Sequence, residues 1–217
     1  MKLDFAILFL AVLGSCCPPF LGDDQAEIAA IGDSILSGGG SACKTMPGDR
    51  GGTPLYLSEV LQEQICNQAT SGTTIVPDGD YSIPRQYEEV KLRWPPVHIF
   101  VLDGGYNDIY YAWQQRKLTS QKIAEISAAM DDLLSDIHSD GFFAVLVNCH
   151  RNRDLQVLDE ALDTLSDDYS AYAAHYGFAY YDLRALMQVH PEYYYDGIHL
   201  NDWGHEALAA GVAAMLH

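Results

Sequence analysis

The chain has 217 residues, with 30 Asp and Glu against 12 Lys and Arg, for a formal net charge of −18. That length suits one domain with a substantial core, and 48% apolar with 19% charged residues is an ordinary globular balance. So negative a surface repels phosphate backbones, which argues against nucleic acid as a partner and against charge-driven binding to anionic lipid.

At the N-terminus, Lys2 and the apolar run from Phe5 to Leu13 have the form of a signal-peptide core, too short to span a bilayer. A buried core helix is the other reading. Leu13-Gly14-Ser15-Cys16 resembles a bacterial lipobox, whose cysteine becomes the lipidated first residue; ordinary cleavage and secretion is the competing outcome. Residues 1–26 are therefore expected to be a signal and tether, and 27–217 the folded domain. The expected address is extracytoplasmic: secreted, periplasmic or lipid-anchored, with membrane contact only through an anchor at Cys16. Of the five cysteines, Cys43 and Cys66 can pair in an oxidising compartment, though nothing in the sequence fixes that. There is no CxxC and no HExxH, and the histidines are scattered, so no metal and no cofactor is expected.

Along the chain, Ile28 to Ile31 reads as a short buried strand that stops at Gly32, with Ser34 two residues on. Ser37 to Ser41 is a flexible glycine-rich stretch. Leu57, Val60, Leu61 and Ile65 give an amphipathic helix over 54–65, followed by a strand candidate at 66–70 that ends at Ser71-Gly72-Thr73. Prolines, glycine and aspartates make 77–84 a loop, and 86–92 a short helix before Pro95-Pro96. Val97 to Leu102 is the clearest strand and runs into Asp103-Gly104-Gly105-Tyr106-Asn107-Asp108. A helix over 120–139 has Thr119 or Ser120 as cap and Gly141 as stop. Then come a strand at 142–147, a helix from Leu155 to Tyr176, a strand at 178–183, a tyrosine-rich loop into Asp196-Gly197-Ile198-His199, and a last helix over 203–216. Strands alternating with helices predict an α/β fold: a mostly parallel five-stranded sheet with helices on both faces.

Four polar stations stand out: Ser34, Gly72, Asn107 and the pair Asp196/His199. A parallel sheet places its strand C-termini on one edge, so residues distant in sequence meet there. Each station has a plainer reading: Ser34 as a helix cap, Gly72 as a turn glycine, Asn107-Asp108 as a turn start, Asp196-Gly197 as a turn, and His199 as a satisfied core histidine. Together they form the set that acyl transfer through a serine ester requires. His199 is the candidate base for the Ser34 hydroxyl. Asp196, three residues earlier, can hold the other ring nitrogen and stabilise the imidazolium. The N–H groups of Ser34 and Gly72 and the Asn107 side-chain amide can donate to the oxyanion.

On these residues the chain resembles the SGNH (GDSL-type) hydrolases. Gly32-Asp33-Ser34-Ile35-Leu36 resembles the first block, with Ile where Leu is usual. Gly72 falls at the second, Gly105-Tyr106-Asn107-Asp108 fits Gly-x-Asn-Asp, and Asp196-Gly197-Ile198-His199 fits Asp-x-x-His near the C-terminus. The resemblance covers about residues 28 to 217. It implies a flavodoxin-like three-layer α/β/α fold and a metal-free ester hydrolase, without fixing the substrate.

Tyr106, Tyr110, Tyr111, Trp113 and Tyr193 to Tyr195 crowd these stations. They suit stacking on sugars or holding an acyl chain, or else they pack beneath loops. The expected substrate is a small-molecule or polysaccharide ester, with short acyl groups such as O-acetyl on carbohydrate. The alternatives are a lysophospholipase or thioesterase, an acyltransferase to sugar, and a non-catalytic binding module. Cys149-His150 is the rival nucleophile pair, but neighbours on a strand point to opposite faces.

Overall fold

The computed structural model describes residues 25–42, 51–77 and 82–216. The signal and lipobox calls, and the Cys43 half of the Cys43–Cys66 pairing, lie outside the described residues. Five parallel strands form one sheet: β1 (Ile28–Ile31), β2 (Ile65–Asn67), β3 (Ile99–Leu102), β4 (Phe143–Val147) and β5 (Ala179–Tyr181), in the order β2-β1-β3-β4-β5. This is the flavodoxin-like order, whose sequence direction reverses between β1 and β3. The register sets Ala30 beside Asn67 and Val101, and Val101 beside Val145.

The strands are short and apolar because helices cover both faces. Alternate residues feed two cores. Ala29, Ile31, Phe100, Leu102, Ala144 and Leu146 join the core beneath α2 (Ile83–Arg93), α4 (Ser120–Ser139) and α5 (Asp159–Tyr176). Ile28, Ala30, Val101, Val145 and Val147 join the core under α1 (Thr53–Leu61), α6 (Leu183–Val189) and α7 (Asp202–Ala213). The three-layer α/β/α architecture follows from that period of two.

Helix α4 occupies the span its sequence signals mark: the Thr119 hydroxyl accepts from Lys122 N at 3.1 Å, and Gly141 follows with φ 80°. Elsewhere the structure corrects the sequence reading. Helix α1 stops at Leu61, because Gln62 turns left-handed at φ 57°, and Ile65 belongs to β2 rather than to the helix. The strand at 178–183 is shorter, and Leu183 opens α6, which was not expected. A further helix, α3 (Tyr106–Gln114), occupies the segment after β3, where the sequence offers only a turn start at Asn107-Asp108.

Candidate active site

The C-terminal edge of the sheet collects all four stations. After β1 the chain passes Gly32 at φ +149°, where any Cβ would fall inside the Asp103 carboxylate. Gln86 on α2 grips both polar atoms of this glycine: its Oε1 accepts from Gly32 N at 2.6 Å, and its Nε2 donates to Gly32 O at 3.0 Å. The Thr73 hydroxyl donates to the same carbonyl at 2.7 Å. The backbone leading to Ser34 is thus fixed from both sides.

Ser34 is half-buried and starts a run of turns, not a helix. Ser37 N donates to Asp33 O at 2.9 Å and Gly39 N to Ser34 O at 2.6 Å, but Gly38 and Gly40, at φ 92° and 88°, stop the helical course. No helix follows for Ser34 to cap; the local side-chain bond comes from Asp33, whose Oδ1 accepts from Ile35 N at 3.0 Å and closes the turn.

Asp33 is buried and anchored twice more. Its N–H donates to Asp103 Oδ1 at 2.8 Å, and its Oδ2 accepts from Asn107 Nδ2 at 3.3 Å. Burial pushes both carboxyls of this pair up, and the nearby charge of Asp33 pushes Asp103 well above the usual carboxylate range. Two buried acids this close disfavour the ionisation of both beneath the Ser34 turn.

Gly72 sits exposed at φ 84°, a turn glycine as its plainer reading holds. Two bonds place its turn beside Ser34. Ser71 and Ser37 bring their hydroxyls to 2.9 Å, and Asn107, buried at the first turn of α3, donates to Thr73 O at 2.9 Å. Asp108 braces the chain that follows, accepting from Ile75 N at 2.9 Å and Val76 N at 3.0 Å. Burial outweighs those bonds and raises the Asp108 carboxyl to about 6.

Asp196 and His199 form a pair in a tight loop. His199 Nδ1 lies 2.8 Å from Asp196 Oδ2, while Asp196 Oδ1 accepts from the N–H groups of Ile198 and His199 at 2.8 and 2.7 Å. Burial pushes the Asp196 carboxyl up, but its bonds to the His199 ring and to these two N–H groups prevail, and it lies below its ordinary value. The carboxylate can only accept, so it fixes the ring's orientation with Nδ1–H as the donor and leaves Nε2 for another partner. His199 is half-buried, not a core histidine. Its ring and Ser34 flank one glycine: a Cβ on Gly39 would lie 2.7 Å from His199 Cδ2 and 3.2 Å from Ser34 Cβ. Among the described residues no hydrogen bond joins the Ser34 hydroxyl to His199; such bonds tighten when substrate arrives.

Ser34, Gly72, Asn107, Asp196 and His199 thus share one neighbourhood. Cys149 and His150 do not form a rival pair. The Cys149 thiol donates to Gly104 O at 2.9 Å and burial pushes its pKa well up. His150 Nε2 lies 2.6 Å from Ile198 O, and burial lowers its pKa to about 4. The supports of the site, namely Asp33, Thr73, Gln86 and Asp103, carry no local signal in the sequence apart from the motif that holds Asp33, since the bonds that tie them to Gly32, to Asn107 and to one another across the site span 34 to 74 residues.

The family model described as GDSL-like lipase/acylhydrolase matches residues 30–207. No curated protein matches the chain. Among solved structures, it is similar to an α/β hydrolase enzyme from the metagenome of Lake Arreo, Spain, at 17% identity over 89% of this chain and 96% of that one, with TM-score 0.68. An acetylxylan esterase from Geobacillus stearothermophilus, solved as a catalytic mutant, gives 16%, 89%, 94% and 0.64. Phospholipase A1 from Streptomyces albidoflavus gives 18%, 88%, 98% and 0.62. At these identities the likeness is one of fold.

Proposed function

This chain belongs to the GDSL-like lipase/acylhydrolase family, and from that premise we propose that it is a serine esterase that cleaves short-chain carboxylic esters, such as O-acetyl groups on carbohydrate. The observation that carries the reading is the Asp196-oriented His199 ring beside Ser34 across Gly39. In the proposed reaction His199 Nε2 takes the Ser34 proton as the hydroxyl oxygen attacks the ester carbonyl, and Asp196 stabilises the imidazolium. The tetrahedral oxyanion receives the N–H groups of Ser34 and Gly72 and the Asn107 amide. Of the two bonds that amide makes, the long one to Asp33 is the one it gives up for the oxyanion. His199 then protonates the leaving alcohol. Water, deprotonated by the same ring, splits the acyl-Ser34 ester, releasing the acid and returning the proton to Ser34.

One observation supports a short acyl group: the cavity beside Ser34, lined also by Ile35, Tyr106, Cys149, His150 and Ile198, has a volume of about 10 Å³, room for one water and not for an alkyl chain. The fold, shared with an acetylxylan esterase and with a phospholipase A1, does not choose between short and long chains. An extracytoplasmic address, resting on the apolar run 5–13 and Cys16, completes the reading. The test is hydrolysis of a nitrophenyl ester panel from acetyl to dodecanoyl, with Ser34→Ala alongside. Serine-dependent turnover that falls with chain length is expected. Turnover that rises with chain length would make the substrate a lipid, and none on any ester would favour a binding module.

A further inference from the structure

A second histidine stands beside this site and takes no part in the reaction as described. His205, on α7, is fully buried, with 0% of its surface exposed. A buried imidazole is costly unless its ring nitrogens are satisfied. Here Nδ1 accepts from the backbone N–H of Thr53 at 3.2 Å and lies 2.9 Å from the Thr53 hydroxyl. Nε2 lies 3.0 Å from the carbonyl oxygen of Gly39. An amide N–H only donates and a carbonyl only accepts. The ring is therefore fixed as one tautomer, with Nδ1 bare and Nε2 carrying the proton.

Each end of this bridge matters to its partner. The N-cap of helix α1 is Gly52, which offers no side-chain cap, so Thr53 N–H is one of the donors a helix start leaves without a partner inside the helix. His205 supplies the acceptor from another helix. At the other end is Gly39, the residue that lies between the nucleophile and the base. Its N–H already donates to Ser34 O, and a single added carbon there would press on both His199 and Ser34. Gly39 has no side chain and glycine neighbours on both sides, so its chain has little stiffness of its own. The imidazole ties it to two helices.

We propose that His205 is a positioning residue of the serine–histidine site: by holding the Gly39 carbonyl against α1 and α7, it fixes the gap across which His199 takes the Ser34 proton. The inference rests on the esterase reading above. It predicts an effect on the chemical step and not on substrate binding, because none of the bonds His205 makes reaches the ester.

The test compares His205→Leu, which can neither donate nor accept, with His205→Gln, which carries one donor and one acceptor. Both are made in the full chain and assayed on nitrophenyl acetate, with active sites counted by labelling Ser34 with a fluorophosphonate. The expected result is that His205→Leu lowers kcat per labelled site by on the order of tenfold to a hundredfold, the scale of a small misplacement of reacting groups, with KM little changed. His205→Gln is expected to recover most of that loss. The proposal is overturned if His205→Leu turns over as fast per site as the wild type, or if His205→Gln is as slow as His205→Leu, which would leave His205 a packing role. Should His205→Leu not fold, the 15N shifts of the wild-type ring decide: a ring protonated at Nδ1 overturns the proposal. A wild-type protein with no Ser34-dependent turnover is a separate result, one that overturns the esterase reading and this inference with it.

Discussion

Asp103 accepts the backbone N–H of Asp33 at 2.8 Å, and its carboxylate fills the space that a side chain on Gly32 would need. One buried acid thus serves both as an acceptor for the turn that carries Ser34 and as the reason for a glycine before it. Two acids in one dry place cannot both be ionised at low cost, and burial pushes both carboxyls up, Asp103 the further.

Asparagine at position 103 would keep the acceptor and mimic the protonated acid. Asp103→Asn is therefore expected to be at least as stable as the wild type at pH 7 and to keep kcat within a few-fold. Asp103→Ala leaves the Asp33 N–H without its acceptor and is expected to cost on the order of 2 kcal/mol. Urea unfolding of both variants checks this; equal losses would show that the acceptor at position 103 is not what holds the turn.

Asn107 carries two duties, and its removal should show in two measurements. Asn107→Ala is expected to lower kcat on the order of a hundredfold with little change in KM, as for a donor used mainly in the transition state. It also leaves the Thr73 carbonyl and Asp33 without the amide, so unfolding free energy should drop by about 1–3 kcal/mol. A change in KM alone would make it a substrate-binding residue.

Asp108 gives a pH signature. Its folded carboxyl sits near 6, above its ordinary 3.8, because burial favours the protonated form. The stability it contributes is full below the unfolded value and is lost as pH rises through about 6. That displacement corresponds to about 3 kcal/mol. The fall in unfolding free energy between pH 4 and 7.5 should accordingly be smaller in Asp108→Asn than in the wild type, by roughly that amount. Asp33 and Asp103 titrate in both proteins, so the difference isolates Asp108. Parallel pH curves would show that the two N–H bonds, not burial, govern this carboxyl.

The legible parts of this molecule were those with a local cause. Strands β1, β3 and β4 are apolar runs because the sheet is covered on both sides. Helix α4 announces itself through Thr119, its spaced apolar residues and Gly141. The stations at Ser34, Gly72, Asn107 and Asp196/His199 were found because strand ends in a parallel sheet share an edge. Helix α3 was hidden: Asn107-Asp108 reads as a turn start, and the helix's buried apolar residues are just Ile109 and Ala112. The end of α1 was hidden too, since Gln62 takes a left-handed conformation with no glycine to signal it. The polar supports were beyond local reading, because Gln86, Asp103 and His205 act on residues 54, 70 and 166 positions away.

Helix α3 also carries Tyr111, 39% exposed, whose hydroxyl lies 3.4 Å from where a Cβ on Gly72 would stand. The ring that overhangs the Gly72 turn and the amide of Asn107 therefore ride on one rigid rod, one turn apart. Any tilt of that rod to admit a bulkier ester would also carry Asn107 off its mark. Under the proposed reaction, the breadth of accepted substrates and the speed of turnover would thereby be geared together, and a variant that widens the first is expected to lose in the second.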